Sequence, residues 1–505
     1  MDLLLGIDVG TTSVKTGLFT TIGSCLALQR HEYQLDTPGA DRAQLDANLY
    51  WQACVNTIRK VVTQVPDKSD KIIALSVSSQ GETTITVDKD GNPIYPALVW
   101  LDNRAESQSK CLAKIFSASV YEYTGIPEVI PTWPACKILW IKENEPEVFT
   151  RVQKFLLVQD FIVYRLTGKY VTNGSISCTT MYFDIIKNKW WDEVLSFIGI
   201  TPEYLPEVVQ SGTPVGTIAD QVAEELGLSA DTLVIAGGMD QAVGALGAGN
   251  YQSGPVSETT GGALSVQATT VHPMLDRNKR IPVYLHCVSG KYLFVPVCPT
   301  GGMMFKWFRD NFAEDSGKEN KNIENSYDRL TKLAATIPAG SDGLVALPHL
   351  MGAFSPEVNP YARGSFTGFT LSHTRAHFAR AIMEGVAFLL KRNLEYLKQI
   401  GISFREIIST GGGARSKLWI QIKADVCNIP VVTLVNEETA LLGNALLAGV
   451  AGGAFKTIEE GCQSMVVRKE VVQPDQDSES YVQFYARYCH LDQVLTEYFK
   501  DVYEK

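Results

Sequence analysis

The chain has 505 residues, 45% apolar and 20% charged, which is room for about two to four domains with buried cores. Its net charge of −10, from 45 basic and 55 acidic residues with no basic block, argues against nucleic acid as a partner. No apolar run reaches the roughly 18 residues of a membrane helix, and the ten scattered cysteines form no Cys-x-x-Cys, so the thiols of a reduced, cytoplasmic protein are expected rather than a zinc or dithiol site.

The chain opens without the basic-then-apolar pattern of a signal peptide and goes straight into a predicted strand, Leu3-Leu4-Leu5-Gly6-Ile7. Asp8-Val9-Gly10-Thr11-Thr12-Ser13 then makes a tight turn, and Val14, Thr16, Leu18 and Phe19 mark a second strand. Such a hairpin tip offers backbone N–H groups and three hydroxyls to phosphate oxygens. Asp8 at the strand end suits Mg²⁺, and Lys15 adds a positive charge. An ordinary turn uses the same residue types.

Further strands are predicted at 72–77 and 83–87, a helix at 152–166 stopped by Gly168, and a buried strand at 233–236 running through Gly237-Gly238 into a helix at 240–249. The turn-rich stretch 250–255 places a domain boundary. Residues 256–266 then repeat the strand, Thr/Gly turn, strand pattern of the N-terminus. Residues 314–325 are charged and polar and are expected to form an exposed loop. A long helix is expected at 377–400, and a strand at 407–409 leads into Thr410-Gly411-Gly412-Gly413-Ala414 and a helix through Cys427. Alternating strands and helices indicate an α/β protein.

Gly364-Ser365-Phe366-Thr367-Gly368-Phe369, seven residues, then His377-Phe378-Ala379-Arg380-Ala381-Ile382-Met383-Glu384 resembles the C-terminal signature of the FGGY carbohydrate kinases. Lys137-Ile138-Leu139-Trp140-Ile141-Lys142-Glu143-Asn144 resembles their N-terminal signature. The resemblance runs collinearly over residues 3–455 and is nearest the xylulose (pentulose) kinase branch. It implies two actin/hexokinase-like (ribonuclease H-like) domains around a central cleft. The N-terminal domain, 1–250, would bind sugar and carry the first phosphate loop and the catalytic Asp. The C-terminal domain, 255–455, would bind nucleotide, and 456–505 would be a helical extension.

Within that resemblance, Asp240 matches the catalytic base, although an Asp between a strand and a helix also serves as an N-cap. Gln241 would contact sugar hydroxyls, and Asp8 and Asp240 would lie on the metal side. Thr11, Thr12, Ser13 and Lys15 match the first phosphate loop. Glycerol kinases usually carry Arg where Lys15 stands, and Lys lacks its bidentate fork. Thr260, Gly261 and Gly262 resemble the second phosphate loop, Gly301 and Gly302 the turn near ribose and phosphates, and Gly411, Gly412, Gly413 and Ala414 the adenine-side loop ahead of a helix N-terminus.

The substrate strand carries Ser78-Ser79-Gln80-Gly81-Glu82-Thr83-Thr84. Glycerol kinases place Arg where Gly81 stands, and xylulose kinases usually have Gln-Met-His-Gly here. Thr132 or Trp133 occupies the aromatic position of the glycerol site. Glu82 can accept from two sugar hydroxyls, or be a surface strand residue. Trp100-Leu101-Asp102-Asn103-Arg104 resembles a pentulose kinase segment, in which Asp102 either reaches the sugar or is held by Arg104. The expected activity is ATP- and Mg²⁺-dependent phosphorylation of a terminal hydroxyl of a ketopentose such as xylulose. Ribulose, fuculose, erythritol, gluconate and glycerol are the alternative acceptors, and a non-catalytic sugar-binding regulator is the alternative class. Sugar and ATP are the expected partners, without nucleic acid or membrane and with room for a homodimer.

Overall fold

The N-terminal apolar run becomes β1 (Leu3–Val9), buried along almost its whole length, as a strand covered on both faces requires. The computed structural model describes residues 2–312 and 326–503, so the loop expected at 314–325 lies outside the described residues. β1 pairs antiparallel with β2 (Ser13–Thr20), which pairs antiparallel with β3 (Cys25–Glu32). On its other side β1 runs parallel to β4 (Ile72–Ser79). β5 (Pro214–Thr217) and β6 (Leu233–Met239) complete a six-stranded sheet in the order β5-β6-β4-β1-β2-β3, with β6 parallel to β4 and β5 antiparallel at the edge.

The helix Ala47–Thr63 buries Tyr50, Trp51, Ile58 and Val61 against the same core. Its start is fixed by Asp46, which accepts from the Asn48 N–H. The helix expected at 152–166 begins later, at Val158–Thr167, because the Asp160 side chain accepts from the Leu157 N–H and sets the first turn there. Lys154–Leu156 instead pairs with Ile85–Val87, which shortens the strand expected at 83–87.

The chain divides into two compact units that are not sequential. The first comprises Met1–Gln252, Thr269–Leu293 and Glu438–Val467. Its late contribution, the helix Thr439–Ala451, lies directly on the helix Asp240–Gly247. A Cβ at Gly443 would stand 2.0 Å from the Val243 carbonyl oxygen, so only glycine permits this approach.

The second unit comprises Ser253–Ala268, Phe294–Glu437 and Arg468–Lys505. β7 (Pro255–Thr260) pairs antiparallel with β8 (Leu264–Thr270) and parallel with β9 (Glu406–Thr410). β10 (Val431–Leu434) lies parallel to β9, and β11 (Arg468–Val472) antiparallel to β10. This repeats the pattern of the first sheet. The final stretch thus supplies a strand as well as the helices Ile458–Met465 and Asp477–Tyr503.

The C-terminal signature residues do structural work in this unit. Arg380, on the helix Arg375–Gln399, donates to Glu384 (2.9 Å) and to the Tyr481 hydroxyl (3.0 Å). Glu384 also accepts from the Gly340 N–H and the Ser341 hydroxyl. These are buried polar groups satisfied by one another.

Candidate active site

In the first unit, three carboxylates sit at the ends of strands or in the turn after one. Asp8 lies near the end of β1 and accepts from the Ser78 hydroxyl at 2.8 Å. The Ser78 oxygen in turn accepts from the Asn444 amide at 2.8 Å. Burial raises the Asp8 carboxyl above the usual range, with Ser78 and Lys15 opposing.

Asp240 follows β6 directly and is the first residue of its helix. Met239 is the N-cap, so the capping reading of Asp240 is corrected: its carboxylate accepts from the Gln241 N–H next to it, at 2.6 Å. Burial, then the charge of Asp8, then that of Glu82 push its pKa up to about 8, against the Gln241 N–H.

Glu82 closes the turn after β4 at φ 58°, a left-handed conformation costly for a non-glycine residue. Its N–H donates to the Thr179 hydroxyl at 3.3 Å. Lys137, fully buried, donates to the carbonyl of Glu82 (2.9 Å) and to that of Val99 (2.8 Å). Burial pushes the Glu82 carboxyl up to about 7 and Lys137 down to about 7, and each charge opposes the other's shift. Gly81 is tightly enclosed: a Cβ there would meet the Thr179 side chain at 2.9 Å.

Two residues expected at the sugar are turned inward. Gln80 is 4% exposed; its amide donates to the Tyr50 hydroxyl (3.0 Å) and its oxygen accepts from the Thr11 hydroxyl (2.8 Å). Asp102 has no exposed surface. One of its oxygens accepts from the Ala43 N–H, and both face the Arg104 guanidinium at 2.8 to 3.0 Å. The expectation that it reaches sugar hydroxyls is therefore corrected in favour of the Arg104 salt bridge, because its acceptor capacity is consumed.

Trp100 remains half-exposed and donates its indole N–H to Thr11 at 2.8 Å, while Thr132 donates to the Trp100 carbonyl. Trp133 is buried and donates to the Glu128 carbonyl. At the first hairpin tip, the Gly10 N–H donates to the Ser13 carbonyl (3.0 Å) and Thr12 is exposed. Lys15 is paired with Glu438 at 2.5 Å.

In the second unit a cavity of about 350 Å³ is lined by Thr260, Gly261, Gly262, Gly302, Gly412 and Gly413. Met303, Phe305, Tyr327 and Trp419 add apolar and aromatic walls. The turns are held by backbone bonds: the Gly301 N–H donates to Gly262 (2.7 Å) and the Gly302 N–H to Gly261 (2.9 Å). A Cβ at Gly302 would stand 2.5 Å from the Gly261 oxygen, and one at Gly413 2.7 Å from Thr260 Cβ. Gly301 packs behind this wall, and Gly411 and Ala414 line a separate, much smaller recess.

Beneath the cavity lies an ion pair that the sequence analysis did not single out. Lys423 and Glu258, both without exposed side-chain surface, meet at 2.6 Å. Lys423 also donates to Thr260 (2.9 Å) and Ser409 (3.3 Å).

Comparison with known proteins adds an independent line. Residues 3–247 match the N-terminal domain of the FGGY family of carbohydrate kinases, and residues 266–452 match its C-terminal domain. The chain belongs to the FGGY family of carbohydrate kinases. It is an α/β enzyme of that two-domain fold, a phosphotransferase acting on a sugar. It is 30% identical to a xylulose kinase of Staphylococcus epidermidis, over 96% of each chain. The structure of a gluconate kinase from Lactobacillus acidophilus superposes with a TM-score of 0.90 at 27% identity, covering 99% of both chains. A ligand-bound xylulose kinase from the same organism gives 0.89 at 27% identity, covering 99% of this chain and 100% of that one.

The residues of this FGGY kinase that sequence reasoning passed over are those without a Gly, Asp or Glu motif: Thr179, Trp419 and Lys423. Lys137 stood inside a quoted signature, and a lysine in the apolar run Ala135-Cys136-Lys137-Ile138-Leu139 was the available signal of a buried, fully used cation.

Proposed function

We propose that this FGGY kinase transfers the γ-phosphoryl group of ATP to a terminal hydroxyl of a ketopentose such as xylulose. Phosphoryl transfer asks the protein mainly to position donor and acceptor and to stabilise charge. Asp240 takes the proton of the attacking hydroxyl, and a carboxyl held near pH 8 is a stronger base than an ordinary aspartate. Gln241, Glu82 and Trp100 orient the acceptor. Thr260, Gly261, Gly262, Gly302 and the 411–414 loop cradle the nucleotide, with its base between the apolar walls of the 350 Å³ cavity. Thr11, Thr12, Ser13 and Lys15 serve the phosphates from the first unit. Asp8 and Asp240 fit Mg²⁺: they are hard oxygen donors, and the charge of Asp8 raises the Asp240 carboxyl. When bound there, the cation would neutralise charge on the phosphate oxygens.

One observation carries the choice of acceptor. The cations that bear on the three carboxylates are both engaged, Lys15 with Glu438 and Lys137 with backbone carbonyls. A site built of carboxylates favours a neutral polyhydroxylated acceptor over a sugar acid. The second reading, gluconate, draws support from the likeness to the Lactobacillus acidophilus gluconate kinase. A coupled ADP-release screen over pentuloses, hexuloses, pentitols, erythritol, glycerol and gluconate separates them. The highest kcat/KM is expected on a ketopentose. A preference for gluconate would overturn this reading in favour of the second, and activity with glycerol alone would overturn it as well.

A further inference from the structure

Tyr284 lies on the short strand Val283–Leu285, far in sequence from the motifs of the site but within the first unit. Its strand is anchored at three points. The Val283 N–H donates to the Gly125 carbonyl at 3.0 Å. The Leu285 backbone hydrogen-bonds the Cys178 thiol, next to Thr179, whose hydroxyl accepts from the Glu82 N–H. Cys287 donates to the Ala242 carbonyl at 3.4 Å, and its Cβ lies against Gly238, two residues before Asp240. The segment 283–287 thus reaches from the support of Glu82 to the support of Asp240. Tyr284 directly precedes Leu285 on it, and both carboxylates act on its phenol.

Tyr284 is 8% exposed, and its hydroxyl makes no hydrogen bond to another described residue, which leaves it open to a ligand oxygen. Burial raises the phenol well above its ordinary value, so it stays a neutral donor. Beside two groups that only accept when ionised, a neutral O–H supplies the missing donor for a sugar oxygen.

We propose that Tyr284 is a specificity-determining residue whose hydroxyl donates to an oxygen of the sugar acceptor, on the face bounded by Glu82 and Asp240. This deepens the proposed function and rests on the acceptor site being there.

Tyr284→Phe removes one oxygen and keeps the ring. On whichever acceptor the wild-type enzyme uses best, the acceptor KM should rise at least about tenfold while the ATP KM stays within about twofold. A set of mono-deoxy analogues of that acceptor gives the readout a merely structural role would not move. One analogue should lose on the wild type what the variant loses on the parent sugar, and lose nothing more on Tyr284→Phe. An unchanged acceptor KM, or an equal further loss across all the analogues, overturns the assignment. A wild-type preference for a non-ketopentose acceptor would overturn the substrate reading instead, and the Tyr284 comparison is then decided on that acceptor.

Discussion

Asp8 and Glu258 occupy the same place in their two sheets. Each lies near the end of the strand that opens its hairpin, and each accepts from the serine directly opposite on the parallel neighbour, Ser78 for Asp8 and Ser409 for Glu258. Their charges are treated differently. Glu258 is buried and neutralised by Lys423, and the pair holds Thr260 at the cavity wall. Asp8 has only the half-exposed Lys15 opposite it on β2, and that ammonium is turned to Glu438. One carboxylate has become a brace, and the other is left available to a cation.

Asp240→Asn keeps the shape of the side chain and removes its basicity. The turnover rate should fall roughly a hundred- to ten-thousand-fold, with ATP binding nearly unchanged because the nucleotide cradle lies in other segments. Steady-state kinetics and nucleotide titration check this. A near-normal rate on the sugar would remove Asp240 from the role of base.

Glu82→Ala should raise the KM for the sugar far more than that for ATP. The backbone at φ 58° is strained for alanine as it is for glutamate, so the comparison isolates the carboxylate. Equal effects on both substrates would take Glu82 out of the acceptor site.

Lys423→Met leaves Glu258 buried without its counter-charge. Breaking a buried pair costs about 3–5 kcal/mol, so the melting temperature should drop clearly. The double variant Lys423→Met, Glu258→Gln should recover much of it. A single variant melting with the wild type would show that the pair contributes nothing.

Much of this was legible before any coordinates. Apolar runs broken by Gly and Thr marked β1, β4, β6, β7 and β9, because strands buried on both faces have little choice of residue. Asp8 and Asp240 stood out as carboxylates at strand ends. Gln80 misled because the groups that consume it, Tyr50 and Thr11, come from distant segments, whereas the Arg104 that holds Asp102 stood two residues away and was read as one of its two roles. Lys423 and Tyr284 carry no motif; their placement is set by strand pairing and helix packing, which local pattern does not encode.

Gly302→Ala tests the nucleotide cradle. Its Cβ would stand 2.5 Å from a backbone oxygen of Gly261, which cannot move without displacing the turn. The ATP KM should rise with little change in the sugar KM, measured by varying each substrate in turn. An unchanged ATP KM would place the nucleotide elsewhere.

His286 predicts an acid sensitivity. Burial lowers its pKa to about 4 from 6.5, and its ring accepts from the Val288 N–H and bonds the Asn250 carbonyl. The neutral ring is the folded form. Its contribution is therefore fully present above pH 6.5 and is lost as the pH falls toward 4, by at most about 3 kcal/mol. His286→Gln should narrow the loss of melting temperature between pH 7.5 and pH 4.5. A parallel loss in both proteins would contradict it.

The helix Thr439–Ala451 has a consequence for the order of folding. Asn444 on it donates to the Ile7 carbonyl and to Ser78, beneath Asp8 itself. During synthesis, the first 252 residues emerge with that face of their sheet still bare, and almost two hundred residues must be made before the covering helix exists. The first unit therefore stays unfinished while most of the second is made, and the support beneath Asp8 is completed only once residues 439–451 have been added.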